Sequence, residues 1–365
     1  MSRLLPLEEY FQRLADVKYS DMPHMRNDYF TQYQQMLNVF RNSYYDKIDA
    51  GLAALSQAPG FYTAHDSTHF DEVVVHAGNL LNIGAVNIGE LNRTSLTALN
   101  AYEVYLLLAA IRVHDVGNMY GRDRHEKKCF GILQDMGTSG GVDSTERKII
   151  AKIAQAHGGK TSTGSKDTIG DLEVISQNGH VSYRPRLLAG IVRIADEICE
   201  NGRRAAGVLL NSASLPKHSE IYHRYAASIT GNRWDHASRT LTIAFEVQLS
   251  HIERAWGCEV RKSENEDELS EVFLVDEIFA RLEKMDRERR YCNIYTREAF
   301  TIDAIKATLD ILDDTDHEVI DSIRIPVLSD SGYPDDGPCN LKRTLAKYCG
   351  AGYGAGLRAK TEGLI

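Results

Sequence analysis

The sequence has none of the features that mark a secreted or membrane-anchored chain. Its six cysteines include no C-x-x-C pair, and the start MSRLLPLEEYFQR has no apolar signal segment. No apolar run approaches the roughly 18 residues that a bilayer-spanning helix needs. We therefore expect a soluble cytoplasmic protein with reduced thiols and no membrane contact.

A basic excess is also lacking. The chain has 42 lysines and arginines against 51 aspartates and glutamates, which gives a formal net charge of -9. A protein that coats a nucleic-acid backbone needs a basic face to neutralise the phosphates. The charge balance therefore disfavours stable binding to duplex nucleic acid, and any nucleotide must be held by local side chains.

Helical spacing of apolar residues dominates the first part of the chain. The segment YLLLAAIRV is one example, and strand-like alternation is nearly absent before residue 213. Asp143 and Glu146 have the pattern of a capping box, and Gly158-Gly159 closes the same helix. The sequence thus predicts a mostly α protein with an all-helical domain over residues 1–212.

The pattern changes after about residue 213. The segments RYAASITGN and RTLTIAFEV alternate apolar and polar residues, and RWDHAS between them is typical of a hairpin connection. A long amphipathic helix follows within VFLVDEIFARLEKMDRERRYCNIY. This helix could pack against the hairpin or form the surface of a homo-oligomer, and both roles stay open. We expect a smaller α+β subdomain over residues 213–330 and a Gly-rich tail over 331–365 that is irregular or partly helical.

The segment YLLLAAIRVHDVGNMYGRDRH places His114 and Asp115 side by side at the end of an apolar helix. An imidazole and a carboxylate are costly to bury there unless something pairs with them, and a divalent cation is an economical partner. Such a mixed set suits Mn, Mg, Fe, Co, Ni or Zn, as one ion or two. Alone, however, such a dipeptide is more often a helix-terminal histidine followed by a capping aspartate.

Two flanking helices extend the pattern. His69 lies early in an amphipathic helix around FYTAHDSTHFDEVVVHAGNLL, and Asp196 lies on the apolar helix RPRLLAGIVRIADEI, where an unpaired carboxylate is disfavoured. Together, the ordered His, His-Asp and distant Asp resemble the HD superfamily of metal-dependent phosphohydrolases over roughly residues 60–205. The resemblance implies an HD-type all-helical core.

Carried over residue by residue, the resemblance implies metal ligation by His69, His114, Asp115 and Asp196. His65 and His76 remain alternatives for the first of these ligands. His157 is similar to histidines that bind a second metal in the cyclic-nucleotide phosphodiesterase branch. His125 is similar to a substrate-facing histidine in the dNTP triphosphohydrolase branch. Asn118 stands where many members have Lys, His or Glu, which leaves the identity of the proton donor open.

The activity that the resemblance implies is hydrolysis of a nucleotide phosphoester by metal-activated water, with Asp115 and His125 as catalytic residues. The substrate would be a dNTP or other nucleoside phosphate, or a cyclic or oligonucleotide signal cleaved as by a phosphodiesterase. Two alternatives stay open, an HD-type nuclease and a nucleotide-sensing binding module in a signalling or defence system. Cationic side chains near the motif are candidates for binding the phosphates; they are Arg122, Arg124, Lys128 and Lys160.

Overall fold

The computed structural model describes residues 3–17, 21–24, 28–48, 67–85, 99–120, 124–137, 141–205, 215–263, 266–330 and 341–363. The protein is mostly α, as the sequence predicts. It divides into two compact units: one consists of the described parts of 1–55, 65–199 and 290–301, and the other of those of 200–289 and 302–365. The linear boundaries at 212 and 330 stay a prediction. Among the described residues, no helix has the length and apolar character to cross a bilayer.

The first unit is built from helices and one short hairpin. Its elements are α1 (Pro6–Val17), α2 (Tyr29–Phe40), α3 (Ser67–Leu80), α4 (Ala101–Val113), α5 (Cys129–Asp135), α6 (Ser144–Gln155), the strands β1 (Ser176–Asn178) and β2 (Val181–Tyr183), and α7 (Pro185–Glu197). Short 3₁₀ turns at Val116–Tyr120 and His125–Lys128 join α4 to α5.

Helix α4 is the centre of this unit. Every residue from Ala101 to Val113 is buried, and the helix contacts α1, α2, α3, α6 and α7. It begins at a capping box, in which the side chain of Asn100 accepts from the N–H of Glu103 and the carboxylate of Glu103 accepts from the N–H of Asn100. A helix that is apolar on all sides is stable only inside a core. Its carboxyl end therefore delivers His114 and Asp115 into the interior.

Buried polar groups fix the packing around α4. The guanidinium of Arg112 donates to Glu8 at 2.7 Å, to the hydroxyl of Tyr33 at 3.0 Å and to Asp71. On α6, Asp143 caps the helix as predicted, and the carboxylate of Glu146 accepts from the hydroxyl of Tyr29 at 2.8 Å. These pairs give the buried charges their partners.

The second unit combines helices with a mixed sheet. Its elements are α8 (Glu220–Ser228), β3 (Ile229–Asp235), β4 (Thr240–Gln248), α9 (Leu249–Ile252), β5 (Ala255–Ser263), β6 (Glu266–Phe273), α10 (Leu274–Thr296), β7 (Ala304–Leu312), β8 (Val319–Arg324), β9 (Leu328–Ser329), α11 (Leu341–Thr344) and α12 (Ala351–Thr361). The sheet order is β3-β4-β7-β8 with β9 beside β7, and only the β4–β7 pair is parallel among these strands. The β3–β4 hairpin confirms a hairpin in this region, and RTLTIAFEV lies largely in β4. The first strand was placed too early, because residues 224–228 end α8 and β3 runs from Ile229 to Asp235. The last residues of α10, from position 290, belong to the first unit.

The described part of the tail is helical, although the sequence favours an irregular segment. Glycine lowers the intrinsic stability of α12, but tertiary contacts hold the helix in place. The guanidinium of Arg358 donates to Glu253 at 2.9 Å and to Asp314 at 2.6 Å, and the hydroxyl of Tyr353 donates to Asp321 at 2.6 Å. Of the two alternatives for the tail, the helical one therefore holds for the described residues, because these contacts outweigh the low helix propensity of glycine.

Candidate metal centre

His114 is the carboxyl-terminal cap of α4 and is fully buried. Its Nδ1 lies 2.8 Å from the carbonyl oxygen of Ile111, one helical turn earlier. This contact favours the tautomer with the proton on Nδ1 and leaves the Nε2 lone pair for another partner. Within the part of the chain that the structure describes, the buried Nε2 makes no hydrogen bond. A buried polar atom of this kind is costly unless a ligand or ion satisfies it.

Three helices bring carboxylates and imidazoles together around this atom. His69 comes from α3, Asp196 from α7, and Asp115 follows α4 directly. The Nε2 of His69 lies 3.1 Å from Oδ1 of Asp196, and the Nε2 of His114 lies 3.7 Å from the same oxygen. Both nitrogens also approach Oδ2 of Asp115, at 3.9 and 3.8 Å. The fold thus brings together the four residues of the ordered pattern.

Asp115 also contacts a second pair of histidines. Its Oδ1 lies 2.9 Å from Nε2 of His125 and 3.4 Å from Nε2 of His157. The Nδ1 of His157 is 2.6 Å from the carbonyl oxygen of Ala154, so its tautomer is fixed in the same way as that of His114. One carboxylate therefore faces two imidazole pairs, one with each oxygen.

The ligand atoms are close enough to hold cations. In each of three groups they lie within 4.8 Å of one another: His69, His114 and Asp115; His114, His157 and Asp196; Asp115, His125 and His157. Imidazole nitrogens and carboxylate oxygens are suitable ligands for divalent metals from Mg to Zn. The cluster is therefore compatible with divalent cation binding.

The carboxylates also change the proton affinity of the cluster. Burial opposes the charged form of His114, but Asp115 and Asp196 outweigh it and raise the pKa of His114 to about 9. Burial works against the ionised form of Asp196 as well, yet His114 and His69 hold its pKa well below the usual range. Protons and metal ions compete for the same imidazole nitrogen, so metal binding would displace the proton from His114 and should weaken as the pH falls.

Of the alternatives for the first ligand, His65 lies outside the described residues. His76 is partly buried on α3, and burial, opposed by Glu72 and reinforced by His69, lowers its pKa to about 4. Within the described chain, His76 belongs to none of the groups that could hold a metal. The geometry therefore favours His69.

Gly117 allows the backbone of His125 to lie close to the residues that follow Asp115. A Cβ at this position would lie 2.1 Å from the carbonyl oxygen of His125. Only glycine therefore fits in the first 3₁₀ turn where it packs against the second. Next to it, both polar atoms of the Asn118 side chain are buried and make no hydrogen bond within the described residues. The glycine was visible in the sequence, but nothing there indicated its contact with His125.

Sequence reasoning also missed two groups beside His69. The thiol of Cys199 lies 3.6 Å from Nδ1 of His69 and 3.7 Å from a carboxylate oxygen of Glu72. Partners on the far side of a metal-binding imidazole orient the ring and change its basicity. Glu72 lies three residues after His69, a helical spacing that could have revealed it.

The predicted phosphate-binding residues are spread around the centre. Arg122 lies outside the described residues, and Arg124 and Lys128 are exposed on the turn that includes His125. Lys160 lines a cavity of about 320 Å³ together with Glu126, Ala156 and Gly158, which are sequence neighbours of His125 and His157. Lys127, which also follows the HD motif, and Lys152, which the sequence did not single out, line the same cavity.

The fold and the cluster define an HD-type domain, in which histidine and aspartate side chains from several helices form a potential metal site. The family model described as HD-CE, an HD-type domain, matches residues 59–261, more than half of the chain. The protein belongs to the HD-CE family, which confirms the resemblance to HD domains. No curated protein and no solved structure matches the chain. Membership of an HD-type family indicates a metal-dependent hydrolase.

Proposed function

We propose that the protein is a metal-dependent phosphohydrolase that hydrolyses a phosphoester of a nucleotide. The observation that carries this proposal is the position of Asp115, between the His69–His114 pair on one side and the His125–His157 pair on the other. A module that only bound a nucleotide would not need so many metal-ligating groups around one carboxylate.

The residues fit a resident cation. His69, His114, Asp115 and Asp196 would hold the first ion, and His157 with Asp115 would contribute to a second. The buried Nε2 of His114 supports this, because no protein group within the described residues hydrogen-bonds to it. When bound, a divalent cation supplies Lewis acidity, which neutralises phosphoryl charge and makes water more acidic.

His125 is the best-placed residue for proton transfer. Its side chain is 18% exposed, whereas that of Asp115 is 5% exposed, so His125 is the more accessible member of the pair. Asp115 orients the imidazole through the 2.9 Å contact at Nε2. In this role His125 would give a proton to the leaving oxygen, which answers the question left open by Asn118.

The cavity beside the centre supports a phosphate-bearing substrate of nucleotide size. Its volume of about 320 Å³ lies at the small end of ligand sites. Lys127, Lys152 and Lys160 could stabilise phosphoryl oxygens, although the carboxylates of Glu126, Asp171 and Glu173 line the same space. A substrate that arrives with a divalent cation would match this mixture of charges.

The first test combines metal analysis with a hydrolysis panel. The purified protein is incubated with dNTPs, NTPs, cyclic dinucleotides and single-stranded DNA in the presence of Mn, Mg or Co. We expect bound metal and hydrolysis of at least one nucleotide. His69→Gln should lose metal and activity, whereas His76→Gln, a change to a histidine on the same helix, should keep both. Stoichiometric metal without turnover of any substrate would contradict the enzyme and favour a sensing module. Cleavage of DNA alone would favour a nuclease.

A further inference from the structure

A second cavity lies wholly within the second unit. Its volume is about 480 Å³, and it is lined by residues of α8, β3, β4, α9 and β7. The lining side chains are mostly polar, and include Arg224, Ser228, Thr230, Gln248 and His251. None of the metal-cluster residues belongs to this unit. The HD chemistry therefore does not account for this cavity.

Arg224 is the most unusual side chain that lines the second cavity. Its guanidinium carbon lies 3.3 Å from the ring centre of Trp256, and its Nε is buried without a hydrogen-bond partner in the described chain. The described residues also place no carboxylate within ion-pair distance of Arg224. Burial and the charge of Arg254, opposed by Glu220, lower its pKa to about 10, so it remains a cation at neutral pH. A partly buried cation with an unused donor favours an anionic partner.

The other charged groups around Trp256 also favour an anionic ligand. The guanidinium of Arg254 lies 4.0 Å from the ring centre, so two cations share one indole. The nearby acids Glu253 and Asp314 are both occupied by Arg358. His251 is neutral at neutral pH, because burial and the two arginines, opposed by Asp314, lower its pKa to about 4. It is therefore a hydrogen-bonding group and not a further charge.

We propose that this cavity binds a phosphate-bearing small molecule, with Arg224 as its principal anchor. The planar fork of a guanidinium binds two phosphoryl oxygens at once, and hydroxyl, amide and imidazole groups line the space around it. Glu246, an exposed carboxylate, also lines the cavity and weakens the binding of an anion. Substitutions of Arg224 and of Glu246 should therefore have opposite effects on the affinity for an anion.

The test is isothermal titration calorimetry of the full chain with pyrophosphate, after treatment with EDTA. Inorganic phosphate and AMP serve as further probes and distinguish a simple oxyanion site from one that also holds a nucleoside. Arg224→Met keeps the apolar stem on Trp256 and should weaken pyrophosphate binding at least about tenfold. Glu246→Gln should strengthen it about two- to threefold. Arg324→Met removes an exposed arginine of β8 outside the cavity and should leave the affinity unchanged.

An Asp115→Asn variant separates this site from the metal centre. Pyrophosphate binding that persists in Asp115→Asn and falls in Arg224→Met supports the proposal. Binding that disappears in Asp115→Asn but survives in Arg224→Met places the ligand at the metal centre and overturns it, as does the absence of binding to the unmodified protein. If Arg224→Met does not fold, the affinity for pyrophosphate is instead compared among Arg224→Lys, Glu246→Gln and the unmodified protein. Equal affinities in these two variants and the unmodified protein would also overturn the proposal.

Discussion

Replacing Gly117 by alanine tests whether the approach of His125 to Asp115 is needed for function. The added Cβ would lie 2.1 Å from the carbonyl oxygen of His125 and 2.8 Å from its carbonyl carbon. Ordinary contacts between such atoms are roughly 3.5 Å, so the turn that includes His125 must move by about 1 Å. Asp115 is held by the buried helix α4, and we expect the displacement to fall on His125.

We expect Gly117→Ala to lower both the stability of the protein and its hydrolysis rate. Inserting a methyl group into a packed region lowers the free energy of unfolding by about 1–3 kcal/mol. A displacement of about 1 Å in a reacting group can lower the rate about 100-fold. The measurements are thermal unfolding, metal content and the hydrolysis rate on whichever nucleotide the panel identifies. Metal held by His69, His114 and Asp196 should remain.

Gly131→Ala is the matched control. Gly131 lies on α5, and a Cβ there would meet no atom within 4 Å. Alanine in a helix should be neutral or stabilise the protein by up to about 1 kcal/mol. If Gly117→Ala unfolded at the same temperature and hydrolysed substrate at the same rate as Gly131→Ala, the argument from steric contact would be refuted.

Two further predictions concern buried charges away from the centre. Burial, opposed by the hydrogen bond from Tyr29, raises the pKa of Glu146 from its usual 4.5 to about 7, so the folded protein holds an extra proton between these values. The free energy of unfolding should fall by about 3 kcal/mol as the pH rises through this window, and urea titrations of Glu146→Gln should lack this component; equal pH slopes in the two proteins would contradict it. Arg112→Met leaves Glu8 buried without its cation and should cost about 3–5 kcal/mol, part of which the double variant with Glu8→Gln recovers. A loss below about 1 kcal/mol in urea unfolding would show that the ion pair is dispensable.

The sequence predicted the elements whose signals are local. The apolar run through Val113 predicted α4, and alternation predicted β4 but placed the first strand of the hairpin partly on the end of α8. The β1–β2 hairpin escaped notice because three-residue strands carry too little alternation, and because the hydrogen bond from Asn178 to the hydroxyl of Tyr102 is a tertiary contact. The sequence left helix α12 open for a related reason, since its glycines disfavour a helix that Arg358 stabilises through Glu253 and Asp314.

The difference between local sequence signals and tertiary contacts also applies at the candidate site. The residues His69, His114, Asp115 and Asp196 could be proposed because their order and their apolar flanks resemble the HD pattern. Which oxygen of Asp115 faces which histidine depends on how the helices pack, and no pattern along the chain encodes it. Among the cavity lysines, Lys160 could be proposed from the sequence, whereas Lys152 lies far from the motif along the chain and only the fold could single it out.

The direction of α4 has a consequence for the order of binding. The helix starts at Asn100 and ends at His114, so its carbonyl groups and the negative end of its dipole point toward the cluster. This end acts as roughly half a negative charge, in addition to the carboxylates of Asp115 and Asp196. Such a field repels a phosphate group unless a cation, either the proton on His114 or a bound metal ion, reduces the charge. A phosphorylated substrate should therefore enter after the metal or together with it, and apparent substrate affinity should rise with metal concentration.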